Sequence, residues 1–335
     1  MPECCKIISK IVYFKQVNLG AIQMKKRHDG TYIKNINPYQ KLMPHIMPNR
    51  HDSMNSVMVD IRCENMDRFI EEMGKNGEKF SYIDVMMAAF VRLFARRPAL
   101  NRFVMNRKIY QHNDITVSFV IKKKMVDNSE DTTVKLHFSG EENIFSVCDK
   151  IKEVVEKNRG DIVNSVDKTA NILSSAPHWL IRMMVGILRG LDRRNALPKK
   201  IVEVSPFHNS FFITFMKSIK GDAIFHHCYD FGTTGIFIAL GKEKLTPVVE
   251  EGELRIGKVM QLGVVMDERF CDGLYFVNSF RLLKIILNNP RVLLNKYELG
   301  SEKSAEHGVR SKEEKKKFRR LSKEREINKR KLKKS

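Results

Sequence analysis

Asp267-Glu268-Arg269-Phe270-Cys271-Asp272-Gly273 joins two segments of opposite character. Before it runs an apolar stretch, Leu262, Val264, Val265 and Met266, that reads as a buried strand. After it Phe276, Val277, Phe280, Leu283 and Leu287 share one helical face, and Asn288-Asn289-Pro290 stops the helix. An Asp-Gly pair most often closes a hairpin, but here no second strand follows. The seven residues therefore form a strand-to-helix turn loaded with acidic side chains, an arginine and a thiol.

Further upstream the chain alternates strands and helices. Ser81-Tyr82-Ile83-Asp84 has the spacing of a capping box and opens a helix through Met86, Ala89, Phe90, Leu93 and Phe94. The helix stops at Arg96-Arg97-Pro98, because proline disfavours helical geometry in the residue before it. Ile115 to Ile121 reads as a buried strand, and Asn143 caps a helix whose Ile144, Val147, Cys148, Ile151, Val154 and Val155 face one way. Phe211 to Met216 and Gly235 to Leu240 read as strands, and Leu254 to Val265 as a further strand or hairpin. This order predicts an α/β layered fold.

The 335 residues are 42% apolar, ample for a packed core, and no stretch approaches the roughly 20 uncharged apolar residues of a membrane span. Lys6, Lys10 and Lys15 break up the only apolar residues available to a signal peptide, and Met24 offers an alternative start. The six cysteines show no Cys-x-x-Cys spacing, which argues against zinc and a disulfide framework and predicts a reduced, cytoplasmic setting. The net charge is +21, of which +9 lies in residues 302–335. That stretch has too few apolar residues to fold, so residues 301–335 read as a basic tail, a solvating segment with weak polyanion binding as its alternative role. Trp179 to Leu191 is the most apolar segment, read as core or oligomer packing, with an acyl pocket or a membrane-facing surface as alternatives.

The turn resembles the active-site signature His-x-x-x-Asp-Gly of the chloramphenicol acetyltransferase and dihydrolipoamide acyltransferase family, with Glu268 where the family keeps its histidine. Other segments are similar in the same order. Ser81 to Asn101 resembles the helix and turn before the first core strand, and Ile109-Tyr110 with Asp114 to Phe119 the next hairpin. Ser210 to Thr214 resembles the strand with the oxyanion-stabilising hydroxyl, and Gly235 to Gly241 the strand leading to the active-site turn. The resemblance covers most of residues 40–295 and is strongest to short stand-alone acyltransferase-like chains of the 2-oxo acid dehydrogenase type. It implies a two-layer α/β sandwich over residues 32–300, after an N-terminal extension of residues 1–31. It also implies coenzyme A thioesters as substrates and a homotrimer with active sites between subunits. No lipoyl domain is recognisable, and the basic Lys122-Lys123-Lys124-Met125 stands where those enzymes carry Gly-Leu-Val-x-Pro, which argues against membership of a dehydrogenase complex.

The resemblance assigns Glu268 as base, Thr214 as oxyanion donor and Asp272 as the acid that braces the turn through Arg50 or Arg269. Proton transfer from a thiol of pKa about 8.5 to a glutamate near 4.3 is uphill by roughly 5.7 kcal/mol, against roughly 2.7 kcal/mol to a histidine. The difference of about 3 kcal/mol is on the order of a hundredfold in rate unless burial raises the glutamate. His226-His227, between the Thr214 strand and the Gly235 strand, supplies the alternative base. Cys271 reads as a small buried hydrophobe. Two functions follow: acyl transfer to an unidentified acceptor, or a non-catalytic binding or scaffold homologue that keeps the trimeric fold.

Overall fold

The computed structural model describes residues 27–122, 131–159, 176–250 and 252–298. The elements in chain order are β1 (Gly30–Tyr32), α1 (Pro38–Ile46), β2 (Met54–Arg62), α2 (Glu64–Lys75), α3 (Tyr82–Arg96), β3 (Arg102–Met105) and β4 (Lys108–His112). Then come β5 (Ile115–Lys122), β6 (Asp131–Phe138), α4 (Ile144–Arg159), α5 (His178–Arg193), α6 (Lys199–Val204), β7 (Phe211–Phe215), β8 (Ile236–Glu250), β9 (Glu253–Asp267) and α7 (Gly273–Asn288). The expected basic tail, the 123–130 stretch and most of the N-terminal extension lie outside the described residues. Residues 27–31, assigned to that extension, belong to the body: β1 pairs with β4, and Arg27 is buried in an ion pair with Asp192.

The described residues form a six-stranded sheet in the order β2-β9-β8-β7-β5-β6. β7 runs parallel to both neighbours, and the other pairs are antiparallel. Side chains alternate across a strand, so the two faces differ. Val117, Phe119, Ile213, Ile238, Leu262 and Val264 belong to the main core with the helices. There Phe94 stacks on Phe211 at 4.5 Å between centroids, and α3 packs against α4 and α7. Phe212, Phe237 and Val265 form a separate cluster with Cys228 on the opposite face. The architecture is thus one layer of helices on a mixed sheet, the two-layer α/β arrangement read from the sequence.

Several sequence readings hold locally. Both halves of the Ser81–Asp84 capping box are made, and Asn143 Oδ1 accepts the Ser146 amide at 3.0 Å. One does not. β4 and β5 are not a hairpin: β4 pairs with β1 and β3 in a separate three-stranded sheet. Asn106 and Arg107, with φ of 48° and 58°, supply the consecutive left-handed residues of a tight β3–β4 turn, whereas β5 lies in the large sheet between β7 and β6. Of the two packing roles read for the α5 stripe, core or oligomer, the core role does not hold within the chain, since Trp179, Met183 and Ile187 are exposed in the single chain.

Candidate active site

β9 ends at Asp267, whose carboxylate is fully buried. It accepts Arg269 Nε at 2.8 Å and Nη2 at 2.7 Å, the Arg269 amide at 3.1 Å and Ser53 Oγ at 3.2 Å. Arg50 Nε lies 3.4 Å away on its other side. Burial pulls the Arg50 guanidinium below its ordinary pKa, and Asp267 opposes that shift. Both arginines reach on to backbone carbonyls: Arg269 Nη1 to Met47 and Pro48, each at 3.2 Å, and Arg50 Nη2 to Gly232 at 2.9 Å. Arg50 and Arg269 therefore brace the turn, but through Asp267 and not Asp272. Asp272 instead caps α7, its Oδ1 accepting the Tyr275 amide at 2.8 Å.

Between them stands Glu268. Its amide donates to the Ser53 carbonyl at 3.0 Å, and its half-buried carboxylate accepts the Asn55 side-chain amide. Neither Ser53 nor Asn55 is signalled in the sequence, because both are contributed by the neighbouring strand β2 and the turn before it. Cys271 is buried, and burial pushes its thiol pKa well up, so it is no nucleophile at neutral pH.

The second half of the site lies on the sheet face away from the helices. Thr214 Oγ1 and His226 Nε2 are 3.1 Å apart. The half-buried imidazole stacks on Phe237 with centroids 4.4 Å apart and planes at 24°. Burial first, and the neighbouring His227 second, hold its pKa below the ordinary histidine value, so the ring is neutral at pH 7. A neutral imidazole whose Nε2 lacks hydrogen accepts the Thr214 hydroxyl proton; the other tautomer donates to the hydroxyl. His227 is exposed, with its ring 6.2 Å from that of His51.

The segment carrying His226 lies flat on the sheet because glycines beneath it leave room. A β-carbon on Gly263 would stand 2.2 Å from the Ile224 carbonyl oxygen, and one on Gly241 would stand 2.6 Å from the Ala223 amide. The Gly221 carbonyl accepts the Lys242 amide at 2.8 Å, and Cys228 is buried at the far end of the segment. Among the described residues no group of three or more His, Cys, Asp or Glu is arranged to hold a metal ion.

The two halves do not meet within one chain. Thr214 is in register with Ala239, and Ala239 with Gly263. Glu268 lies five residues beyond Gly263, just past the end of β9, roughly 17 Å at 3.3–3.4 Å per residue. One copy thus separates Thr214–His226 from Glu268–Asn55.

Residues 234–295, from the start of β8 through the turn and α7, match the family model described as 2-oxoacid dehydrogenases acyltransferase (catalytic domain). Among solved structures the chain is similar to the dihydrolipoamide acetyltransferase of Azotobacter vinelandii, at 14% identity and a TM-score of 0.51, over 78% of this chain and 94% of that one. That structure addresses the roles of a serine, a histidine and an asparagine in its catalytic mechanism, the last two being four residues apart. The cubic core of the pyruvate dehydrogenase multienzyme complex is similar with the same identity, coverage and TM-score. A chloramphenicol acetyltransferase is similar at 11% identity and a TM-score of 0.49, over 77% of this chain and 99% of that one. No curated protein matches the chain in sequence. The chain has the fold of the dihydrolipoamide acetyltransferase catalytic cores, and its residues 234–295 are similar to the 2-oxoacid dehydrogenase acyltransferase catalytic domain.

Proposed function

We propose that this chain is a coenzyme A-dependent acyltransferase that works as a homotrimer, with His226 as base and Thr214 as oxyanion donor. The carrying observation is the 3.1 Å contact between Thr214 Oγ1 and the neutral, half-buried His226. In the forward step the thiol of coenzyme A gives its proton to His226 Nε2, and its sulfur attacks the acyl carbonyl. The Thr214 hydroxyl, released from Nε2, turns its hydrogen to the tetrahedral oxyanion; one such donor is worth about 2.7–4 kcal/mol. Collapse breaks the bond to the previous acyl carrier, which leaves and recovers the proton from the imidazolium. Glu268 and Asp272 keep the four-residue spacing of the histidine and asparagine in the Azotobacter enzyme. The separation of Glu268 from Thr214 supports a site completed between copies, in which Glu268 faces the partner subunit's Thr214. Cys63, Cys148, Cys228 and Cys271 are buried free thiols, which fits a cytoplasmic setting.

A second reading, a scaffold homologue without turnover, is favoured by one observation: Glu268 replaces the signature histidine and its carboxylate is tied to Asn55. Acetyl transfer from acetyl-coenzyme A to dihydrolipoamide, followed by mass spectrometry, separates the two. His226→Ala is expected to lower the rate by about 10²–10⁴. Absence of transfer to thiol, amine and alcohol acceptors alike would leave the scaffold reading. Light scattering is expected to give a trimer or a multiple of three; a monomer at micromolar concentration counts against the shared site.

A further inference from the structure

Beside the Asp267 turn lies a cleft of about 460 Å³, within the range of small-molecule sites at about 300–1,000 Å³. Arg50, Arg107, Arg189, Arg193 and Arg269 line it. Two of these are committed, because Arg50 and Arg269 share the buried carboxylate of Asp267. The acids in the lining are also engaged. Asp192 pairs with Arg27 at 3.0 Å and with His208 at 3.2 Å, while Asp230 accepts the amides of Arg50 at 3.0 Å and His51 at 3.2 Å.

Arg107, Arg189 and Arg193 remain. All three are exposed, and none has an acidic partner among the described residues. Their placement works against the local structure. Arg189 and Arg193 are one turn apart on α5, a like-charge pair that opposes the helix. Arg107 occupies the left-handed region at φ 58°, which residues other than glycine and asparagine seldom adopt. Three unneutralised guanidinium groups around one cleft call for a ligand with at least two negative charges. Phosphate meets that need, since its oxygens accept the paired N–H groups of more than one guanidinium at once. A monocarboxylate would satisfy one arginine and leave two.

We infer that this cleft binds a phosphate-bearing small molecule, held by Arg107, Arg189 and Arg193. The inference goes beyond the acyl-transfer reading and does not require turnover. The phosphate has two sources: the nucleotide end of coenzyme A, or a separate phosphorylated compound.

The test is calorimetric titration of the full chain with inorganic pyrophosphate at fixed ionic strength, with acetate as control. Wild type is compared with the triple variant R107S/R189S/R193S. The basic C-terminal residues are the same in both proteins, so their contribution cancels. Pyrophosphate is expected to bind the triple variant at least tenfold more weakly, with no acetate binding to either protein. Arg189→Ser alone, expected to weaken binding severalfold, covers the case in which the triple variant does not fold. Affinities within twofold of each other in wild type and both variants would overturn the inference. Coenzyme A and dephospho-coenzyme A then distinguish the sources. Loss of affinity for coenzyme A but not for its dephospho form assigns the cleft to the 3′-phosphate. Coenzyme A affinity unchanged while pyrophosphate binding is lost assigns it to a separate phosphorylated ligand. Failure of the acyl-transfer reading would appear as absent transfer with pyrophosphate binding intact.

Discussion

Asp267 and Arg269 form a two-point ion pair in the interior, Nε to Oδ1 at 2.8 Å and Nη2 to Oδ2 at 2.7 Å, two residues apart in the chain. With Arg50 on its other flank, the single carboxylate compensates two buried guanidinium groups. Asp267→Asn removes the carboxylate that both guanidinium groups share, and breaking a buried pair from one side typically costs about 3–5 kcal/mol. Urea unfolding should register a loss of that size. A loss below about 1 kcal/mol would mean that the arginines are held by their carbonyl contacts and not by Asp267.

Asp272 makes a different prediction, because its observed partner is an amide at the start of α7. Asp272→Ala should reduce stability by about 1 kcal/mol, whereas Asp272→Asn, an equally good cap, should be close to neutral. Equal losses in the two variants would return to Asp272 the charged bracing role that the sequence pattern suggests.

Glu268 separates the two candidate bases. With His226 as base, Glu268→Gln should change acyl transfer by less than about tenfold, against about 10²–10⁴ for His226→Ala. Steady-state rates in which Glu268→Gln is the more damaging exchange, and Glu268→His restores activity, would move the base to the turn.

The acid limb of the rate profile carries the next prediction. A base works when deprotonated, so kcat/KM should fall only as pH drops through the His226 pKa, which lies below the ordinary 6.5. His227→Ala removes one cause of that depression and should shift the acid limb to higher pH. An acid limb that stays put in His227→Ala, or one centred above pH 6.5 in wild type, contradicts the assignment.

His112 predicts a stability effect independent of activity. Its ring is buried against Phe103 at 4.4 Å, and Nε2 has no hydrogen-bond partner. Burial lowers its pKa to about 4 from an ordinary 6.5. Above pH 6.5 neither folded nor unfolded chain binds this proton. As pH falls from 6.5 towards 4 the unfolded chain takes it up first, so stability is lost across that window, by about 3 kcal/mol in all. Denaturant melts should show His112→Gln with a shallower acid slope than wild type. Parallel slopes would mean that His112 takes up its proton as readily in the folded chain as in the unfolded one.

How much of this is legible in the sequence depends on whether a feature is local. The Ser81–Asp84 cap, the stop before Pro98, the Asn143 cap and the strand-to-helix turn at residues 267–273 are written in neighbouring residues. Each is found close to its expected place. Long-range pairings are different. Nothing near Asp267 indicates that it, and not Asp272, takes Arg50, because that choice is set by the register of β2 against β9, which aligns Met54 with Asp267. The edge strand β2 was equally hidden: Asn55, Ser56, Val57 and Met58 are all exposed in the chain, so no alternation of apolar and polar residues marks it. Thr214 and His226 were each readable as candidates, but their contact depends on an irregular segment folding back over two strands.

That segment gives the glycines at 241 and 263 a consequence for recognising functional relatives. The imidazole reaches Thr214 only because two methyl groups are missing from strands β8 and β9, in residues with no chemistry of their own. A homologue with alanine at either position has no room for this path, whatever it carries at the histidine. Sorting such sequences by those two small residues would separate chains able to form the pair from chains that merely contain its members.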